Sequence, residues 1–130
     1  MIKVHHLETS RSTRLLWAME ELGLSYELVT YKRDVETLRA PESAKELHPL
    51  GRFPMLEIDG KILAESGSIL SYLVAREGSL GPKDEAAKLD YDYWVHYAEG
   101  SAMTPLIIKL ITIGLKKAPV PFFIAPIVKK

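Results

Sequence analysis

The first 31 residues constrain the fold most strongly, because their hydrophobic spacing changes twice within a short distance. Residues 2–6, IKVHH, are typical of a short strand. From about Ser12 to Leu22, apolar residues recur at the i, i+3, i+4 and i+7 spacing of one helix face, and Gly23 suits the left-handed residue after a helix. Residues 26–31, YELVTY, are rich in β-forming side chains. This order predicts a βαβ unit, which is right-handed by default.

A second constraint is Asp59-Gly60, a dipeptide that tolerates positive φ at both central positions of a tight turn. The flanking apolar runs predict antiparallel strands at Met55–Ile58 and Lys61–Ala64. The next segment, SGSILSYLVAREG, has the apolar stripe and the closing glycine of a helix, and a short helix is expected near PESAKEL. The order βαβ-α-ββα predicts an α/β fold with a mixed four-stranded sheet, as in thioredoxin-like folds.

The Gly- and Pro-containing segment 79–84, SLGPKD, is the predicted domain linker. It separates residues 1–78 from residues 85–130, whose pattern is helical to about Leu115. The apolar tail is interrupted by three lysines and three prolines: Lys109, Lys116, Lys117, Pro119, Pro121 and Pro126. No uncharged run therefore reaches the roughly 20 residues of a membrane-spanning helix. We expect a buried helix followed by a proline-broken segment, and no membrane span.

Composition argues against several classes of function. The 17 basic and 17 acidic residues cancel, so bulk charge indicates no nucleic-acid or anionic-membrane partner. The chain has no cysteine, which excludes disulfides, thiolate zinc sites and Cys-x-x-Cys redox chemistry. Its four histidines lack metal-ligand spacing, so no metal site is predicted. The N-terminus lacks the apolar core of a signal peptide, and a cytoplasmic location is expected.

A cluster rich in hydroxyls and arginines, Thr9–Arg14, is the first of three stretches that could carry chemistry. It lies where the first strand meets the first helix, and helix N-terminal amides carry partial positive charge. A hydroxyl there could donate a hydrogen bond to a bound thiolate and lower the pKa of that thiol. Alternatively, Ser10 or Ser12 is an N-cap that only satisfies a backbone amide.

The other two stretches are GRFPML and AESGSI. A cis Phe53–Pro54 bond would turn the backbone outward for an extended peptide, whereas a trans bond would make Pro54 an ordinary residue at the start of a strand. In AESGSI, Ser66 and the helix amides suit a carboxylate, and Glu65 suits an ammonium. The pair could therefore bind an amino-acid head group, or could simply cap the helix.

Together, these stretches resemble the cytosolic glutathione transferase family, and its serine-type fungal and bacterial members most. The matching segments are SRSTRLLWAMEELGLSYE, HPLGRFPMLEIDGKILAESGSILSYL and, less specifically, YWVHYAEGSAMTPL. The resemblance covers about residues 2–115. It implies a thioredoxin-like, glutathione-binding domain in residues 1–78. It also implies an incomplete, truncated all-α domain in residues 85–130, since family members continue well beyond residue 130.

The resemblance also implies how glutathione would be held. Ser10 would stabilise the thiolate, with Ser12 as the competing hydroxyl. Phe53, before a cis Pro54, would pair its backbone with the cysteinyl part of glutathione. The other residues implied in glutathione binding are Glu65 and Ser66 for the γ-glutamyl head group, His48 and Arg52 near the glycyl carboxylate, and Arg11.

The implied function is conjugation of glutathione, as co-substrate, to small hydrophobic electrophiles for detoxification, by a cytoplasmic homodimer. The alternatives are a non-catalytic interaction module of the same fold and a glutathione-dependent peroxidase, reductase or dehalogenase. The aromatic residues Tyr91, Tyr93, Trp94 and Tyr97 are expected to pack more than to line a pocket. In a truncated helical domain, a stripe formed by Ile107, Leu110 and Ile111 would lack partners.

Overall fold

The computed structural model describes residues 1–117, with side chains to Leu115. The helices and strands in chain order are β1 (Ile2–Leu7), α1 (Thr13–Glu21), β2 (Glu27–Tyr31), α2 (Ala44–Leu47), β3 (Met55–Ile58), β4 (Lys61–Ala64), α3 (Ser66–Glu77), α4 (Glu85–Tyr97) and α5 (Met103–Lys117). A π-helical turn, Ala98–Ala102, joins α4 to α5. The chain divides into two compact units, Met1–Gly81 and Pro82–Lys130.

The first unit contains one mixed sheet with the strand order β2-β1-β3-β4. β1 runs parallel to β2, with Val4 opposite Leu28, and antiparallel to β3, with His5 opposite Met55. β3 and β4 form the predicted hairpin, whose turn residues Asp59 and Gly60 have φ values of 51° and 74°. This is the predicted thioredoxin-like fold, since a parallel βαβ unit is extended by an antiparallel hairpin and a final helix.

Each face of this sheet is covered by an apolar cluster. The side chains of β1 alternate between the two faces and so contribute to both clusters. On one face, Ile2 and Val4 pack with residues of α1 and α3, including Leu15, Met19 and Leu73. On the other face, the second cluster consists of Leu7, Ala44, Phe53 and Met55, and so includes α2. The second cluster also fixes the position of the loop before β3, because Phe53 belongs to it.

In the second unit, Glu85–Leu115 form one continuous helical run. By length and composition alone, an 18-residue window of it, with a mean hydropathy of 1.3, is apolar enough to cross a membrane. The predicted burial of the later helix is wrong for the described residues. Ile107, Leu110 and Ile111 are 42%, 69% and 56% exposed, which agrees with the expected unpartnered stripe. The predicted proline-broken segment, from residue 118 onward, lies outside the described residues.

Candidate functional site

The two candidate serines lie in the loop between β1 and α1 and differ in how deeply they are buried. Ser12 is fully buried. Its Oγ accepts a hydrogen bond from the Leu7 N–H (3.1 Å) and donates one to the Leu7 carbonyl oxygen, also at 3.1 Å. The hydroxyl thus bonds to the end of β1, and it makes no side-chain cap bond to α1. In the N-cap alternative, the Ser12 hydroxyl would accept a hydrogen bond from a helix amide, but the hydroxyl forms no such bond.

Ser10 is only partly buried and sits one turn before α1. Its Oγ lies 2.7 Å from Ser12 Oγ and accepts a hydrogen bond from the Ser12 N–H at 3.2 Å. The Ser10 carbonyl accepts from the Thr13 hydroxyl at 3.2 Å. These bonds hold the Ser10 hydroxyl and its carbonyl in place. Because Ser12 is fully buried and Ser10 only partly, Ser10 is the serine that a ligand in solution can reach.

The loop before β3 carries a cis peptide bond between Phe53 and Pro54. Of the two alternatives for this bond, the trans proline is therefore wrong. The chain turns into this loop at Gly51, whose N–H donates to the His48 carbonyl at 2.8 Å. Gly51 has a φ of 55°, and a Cβ there would lie 2.8 Å from Lys45 Cγ, so glycine suits both the backbone and the space. His48 itself ends α2, where its Nδ1 accepts from the Leu50 N–H at 3.3 Å.

Behind Phe53 lies a polar pair that the sequence did not single out. The Tyr31 ring is 4.9 Å from the Phe53 ring, and the Tyr31 hydroxyl is 3.0 Å from Nδ1 of the buried His5. Burial lowers the pKa of His5, although Glu57, whose Oε2 lies 3.7 Å from His5 Nε2, opposes that shift. Burial also raises the pKa of Tyr31, so its hydroxyl stays protonated near neutral pH.

The junction of β4 and α3 places the third stretch at a helix start. Glu65 is exposed and has φ 72° and ψ 116°, and Ser66 is the buried first residue of α3. The Glu65 side chain makes no cap bond to the helix. Only its carbonyl takes part in the helix, by accepting from the Ile69 N–H at 2.9 Å. The free amides at the N-terminus of α3 favour an anion beside Ser66.

These loops meet in one open cleft of the first unit. The residues that line it are Arg11, Leu50, Arg52, Phe53, Pro54, Ala64, Glu65 and Ser66. Six of the nine residues predicted for the site are therefore brought together. Ser10 and Ser12 are next to the lining residue Arg11, and His48 is two residues before Leu50, but these three do not line the cleft themselves. Sequence reasoning missed Leu50 and Ala64, although each adjoins a motif that it identified.

The cleft combines charged side chains of both signs with backbone groups that could pair with a peptide. Arg11 and Arg52 are cationic and Glu65 is anionic, so a ligand that carries carboxylates and an ammonium is complementary to the lining. The cis-proline loop supplies backbone groups for a short extended peptide. Within residues 1–117, no three His, Asp or Glu side chains are grouped closely enough to hold a metal ion.

The fold and the cleft define a thioredoxin-like domain whose candidate ligand site lies between a cis-proline loop and a helix N-terminus. Residues 1–75 match the family described as glutathione S-transferase, N-terminal domain, and the chain belongs to this family. This match confirms the resemblance that the sequence motifs indicated.

Individual relatives agree with this family. The chain is 41% identical, over its whole length, to glutathione S-transferase 1 of Saccharomyces cerevisiae and to glutathione S-transferase 3 of Schizosaccharomyces pombe. A crystal structure of a glutathione S-transferase from Actinobacillus pleuropneumoniae matches 98% of the chain with a TM-score of 0.73 and 34% identity.

The chain spans little more than half the length of these relatives. It covers 59% of the S. cerevisiae protein, 54% of the S. pombe protein and 59% of the A. pleuropneumoniae chain. The activity, substrates and partners of a complete transferase are therefore proposals for this chain.

Proposed function

We propose that the first unit binds glutathione in the cleft described above and that the protein is a glutathione transferase. The observation that carries this proposal is the grouping of Glu65, Ser66 and the Phe53–Pro54 loop in one cleft beside Ser10. Glutathione is a short peptide with an ammonium at one end and a carboxylate at each end, and the cleft offers a complementary group for each.

In the proposed complex, the two ends of glutathione are held by opposite charges. Glu65 pairs with the γ-glutamyl ammonium, while Ser66 and the amides of α3 bind the carboxylate on the same carbon. Arg11 and Arg52 face the glycyl carboxylate, with His48 behind them. Charge-assisted bonds of this kind contribute about 1.5–3 kcal/mol each.

The middle of the peptide is placed by the cis-proline loop. The Phe53 backbone pairs with the cysteinyl residue as an added strand does, and this directs the thiol toward the loop between β1 and α1. There the Ser10 hydroxyl donates a hydrogen bond to the thiolate. A hydrogen bond to the ionised form lowers the pKa of the thiol and raises the fraction of thiolate at neutral pH.

The reacting group is then the thiolate of glutathione. Its thiolate attacks an electrophilic carbon of a small hydrophobic substrate, the new C–S bond forms, and the leaving group departs with the electron pair. The protein stabilises the anion and supplies no nucleophile of its own, as is consistent with the absence of cysteine. Detoxification in the cytoplasm by a homodimer is part of the same proposal. A glutathione peroxidase would use the same thiolate against a peroxide.

A non-catalytic interaction module is the second candidate. The observation that favours it is the exposed apolar stripe of α5 on a chain that spans little more than half of its relatives. In that case the thioredoxin-like unit would serve association, and the cleft would be without a ligand.

Calorimetric titration with glutathione distinguishes the two candidates. We expect saturable binding to the wild-type chain and, for Glu65→Gln, affinity at least about tenfold weaker, because the variant loses a charge-assisted bond. Glu85→Gln, which removes the same charge from the start of α4, is the matched control and should bind as the wild type does. No binding at millimolar glutathione would contradict the proposal and favour the interaction module.

A further inference from the structure

The buried Ser12 hydroxyl has four polar neighbours, one more than the three hydrogen bonds that a hydroxyl can form. Its Oγ lies 2.8 Å from His6 Nδ1 and 2.7 Å from Ser10 Oγ, in addition to the N–H and the carbonyl of Leu7, each at 3.1 Å. A serine hydroxyl has one proton to donate and two lone pairs to accept with. The Leu7 N–H occupies one lone pair, so only one further donor can be accepted.

The proton on His6 then decides whether Ser10 can donate to Ser12. The Ser12 hydroxyl donates to the Leu7 carbonyl oxygen and accepts from the Leu7 N–H. One lone pair of Ser12 therefore remains for either His6 Nδ1 or the Ser10 hydroxyl. If Nδ1 carries no proton, that lone pair is open to Ser10, whose proton then points inward and is not available to a ligand.

With the proton on Nδ1, His6 donates to Ser12, whose lone pairs are now both occupied. Ser12 can then accept no hydrogen bond from Ser10. The Ser10 proton is released from the loop and can be donated to a thiolate. This arrangement keeps the Ser10 proton available for the hydrogen bond on which the proposed reaction depends.

We propose that His6, protonated at Nδ1, is a positioning residue that orients the Ser10 hydroxyl toward the glutathione thiolate through the buried hydroxyl of Ser12. The inference rests on the proposed function, because it assigns a direction to the hydrogen bond that stabilises the thiolate. It also gives Ser12 a role: because Ser12 is buried, water does not compete with His6 for its remaining lone pair.

The test is the pKa of the glutathione thiol in its complex, measured from the ultraviolet absorbance of the thiolate in wild type and variants. We expect His6→Phe to raise this thiol pKa by up to about one unit with little change in the affinity for glutathione. His6→Asn should largely restore the wild-type pKa, because an amide N–H can occupy the place of Nδ1–H. His96→Asn, on an exposed position of α4, should have no effect.

A double variant separates this role from a general loss of structure. In a Ser10→Ala background, His6→Phe should cause no further rise in the thiol pKa, because His6 acts only through Ser10. Nitrogen NMR of the His6 ring in the glutathione complex should show the proton on Nδ1. A bare Nδ1, or an unchanged thiol pKa in His6→Phe when Ser10→Ala raises it, would overturn the inference alone. Absence of glutathione binding would overturn the proposed function as well.

Discussion

At the scale of single residues, the two serines of the first loop differ in what surrounds them. Sequence spacing could not distinguish them, because Ser10 and Ser12 both precede the same helix and both suit a cap. The structure separates them by burial and by the two bonds that Ser12 alone makes to Leu7, which depend on how closely the end of β1 approaches the loop. The role assigned to each serine follows from that difference.

Ser12→Ala should therefore destabilise the fold more than Ser10→Ala, whose lost bonds are only partly buried. Removing the Ser12 hydroxyl leaves the buried Leu7 N–H without its partner, at an expected cost of about 1–3 kcal/mol in the free energy of unfolding. Urea unfolding monitored by circular dichroism measures this difference. Equal stabilities for the two variants would show that the Ser12 bonds do not support the loop.

The buried His5 should make stability dependent on pH. Its pKa is lowered by burial in the folded state, so the unfolded chain binds the proton more tightly. Glu57, Lys3, Glu27 and Tyr31 are the polar groups around it. Stability should therefore be complete above the ordinary histidine pKa of about 6.5 and should fall as the pH drops below that value.

Urea unfolding across that pH range measures the effect in wild type and in His5→Gln, whose slope should be smaller. His96→Gln, which removes an exposed histidine from α4, is the control and should keep the wild-type slope. A wild-type slope in His5→Gln would assign the pH dependence to other groups.

At the scale of elements, periodicity and turn chemistry predicted the helices and strands of the first unit well. The hairpin strands Met55–Ile58 and Lys61–Ala64 have the predicted bounds, because Asp59-Gly60 determines both the turn and the register. The cis bond before Pro54 could not be derived locally, since most prolines at such positions are trans. Likewise, α5 was expected to be buried from its composition, but burial depends on a neighbouring element, which composition does not reveal.

The loop after β2 supports the loop that carries Ser10. Arg33 donates to the carbonyl oxygens of Leu38 (2.9 Å) and Thr9 (3.0 Å), and so joins the two loops. Asp34 accepts from the N–H and the hydroxyl of Thr37, both at 2.7 Å. These hydrogen bonds lower the pKa of Asp34, so it remains an acceptor at neutral pH.

Arg33→Ala should therefore loosen the first loop without unfolding the protein. The bonds are exposed, so we expect a loss of less than about 1 kcal/mol in the free energy of unfolding. Hydrogen exchange at the amides of residues 9–12 should accelerate, whereas exchange in β3 should not. Arg39→Ala, which removes an arginine from the same loop, is the control. Unchanged exchange at residues 9–12 would indicate that Arg33 does not hold the loop.

At the scale of the whole molecule, the two units differ in how far they bury their apolar residues. The first has its own core on both faces of the sheet, whereas the second exposes Ile107, Leu110 and Ile111. Composition gave no sign of this contrast, because the net charge of zero and the 47% hydrophobic content describe the chain as a whole.

The chain should consequently self-associate as its concentration rises, because exposed apolar patches of this kind favour contact with other copies. Sedimentation velocity over a range of concentrations measures the association. Ile107→Lys combined with Ile111→Lys should shift the distribution toward monomer. The control pair Ser43→Lys and Ser68→Lys adds the same charge to exposed positions of the first unit and should not. Equal effects of the two pairs would mean that charge alone controls association.

The central claim is that glutathione binds in the cleft between the cis-proline loop and the start of α3. Titration of nitrogen-labelled protein with glutathione, followed by amide chemical shifts, tests it most directly. The account predicts saturable shifts concentrated at the amides of Arg11, Arg52, Phe53, Glu65 and Ser66, with none in α4. Saturable shifts located elsewhere, or no shifts at millimolar glutathione, would contradict it.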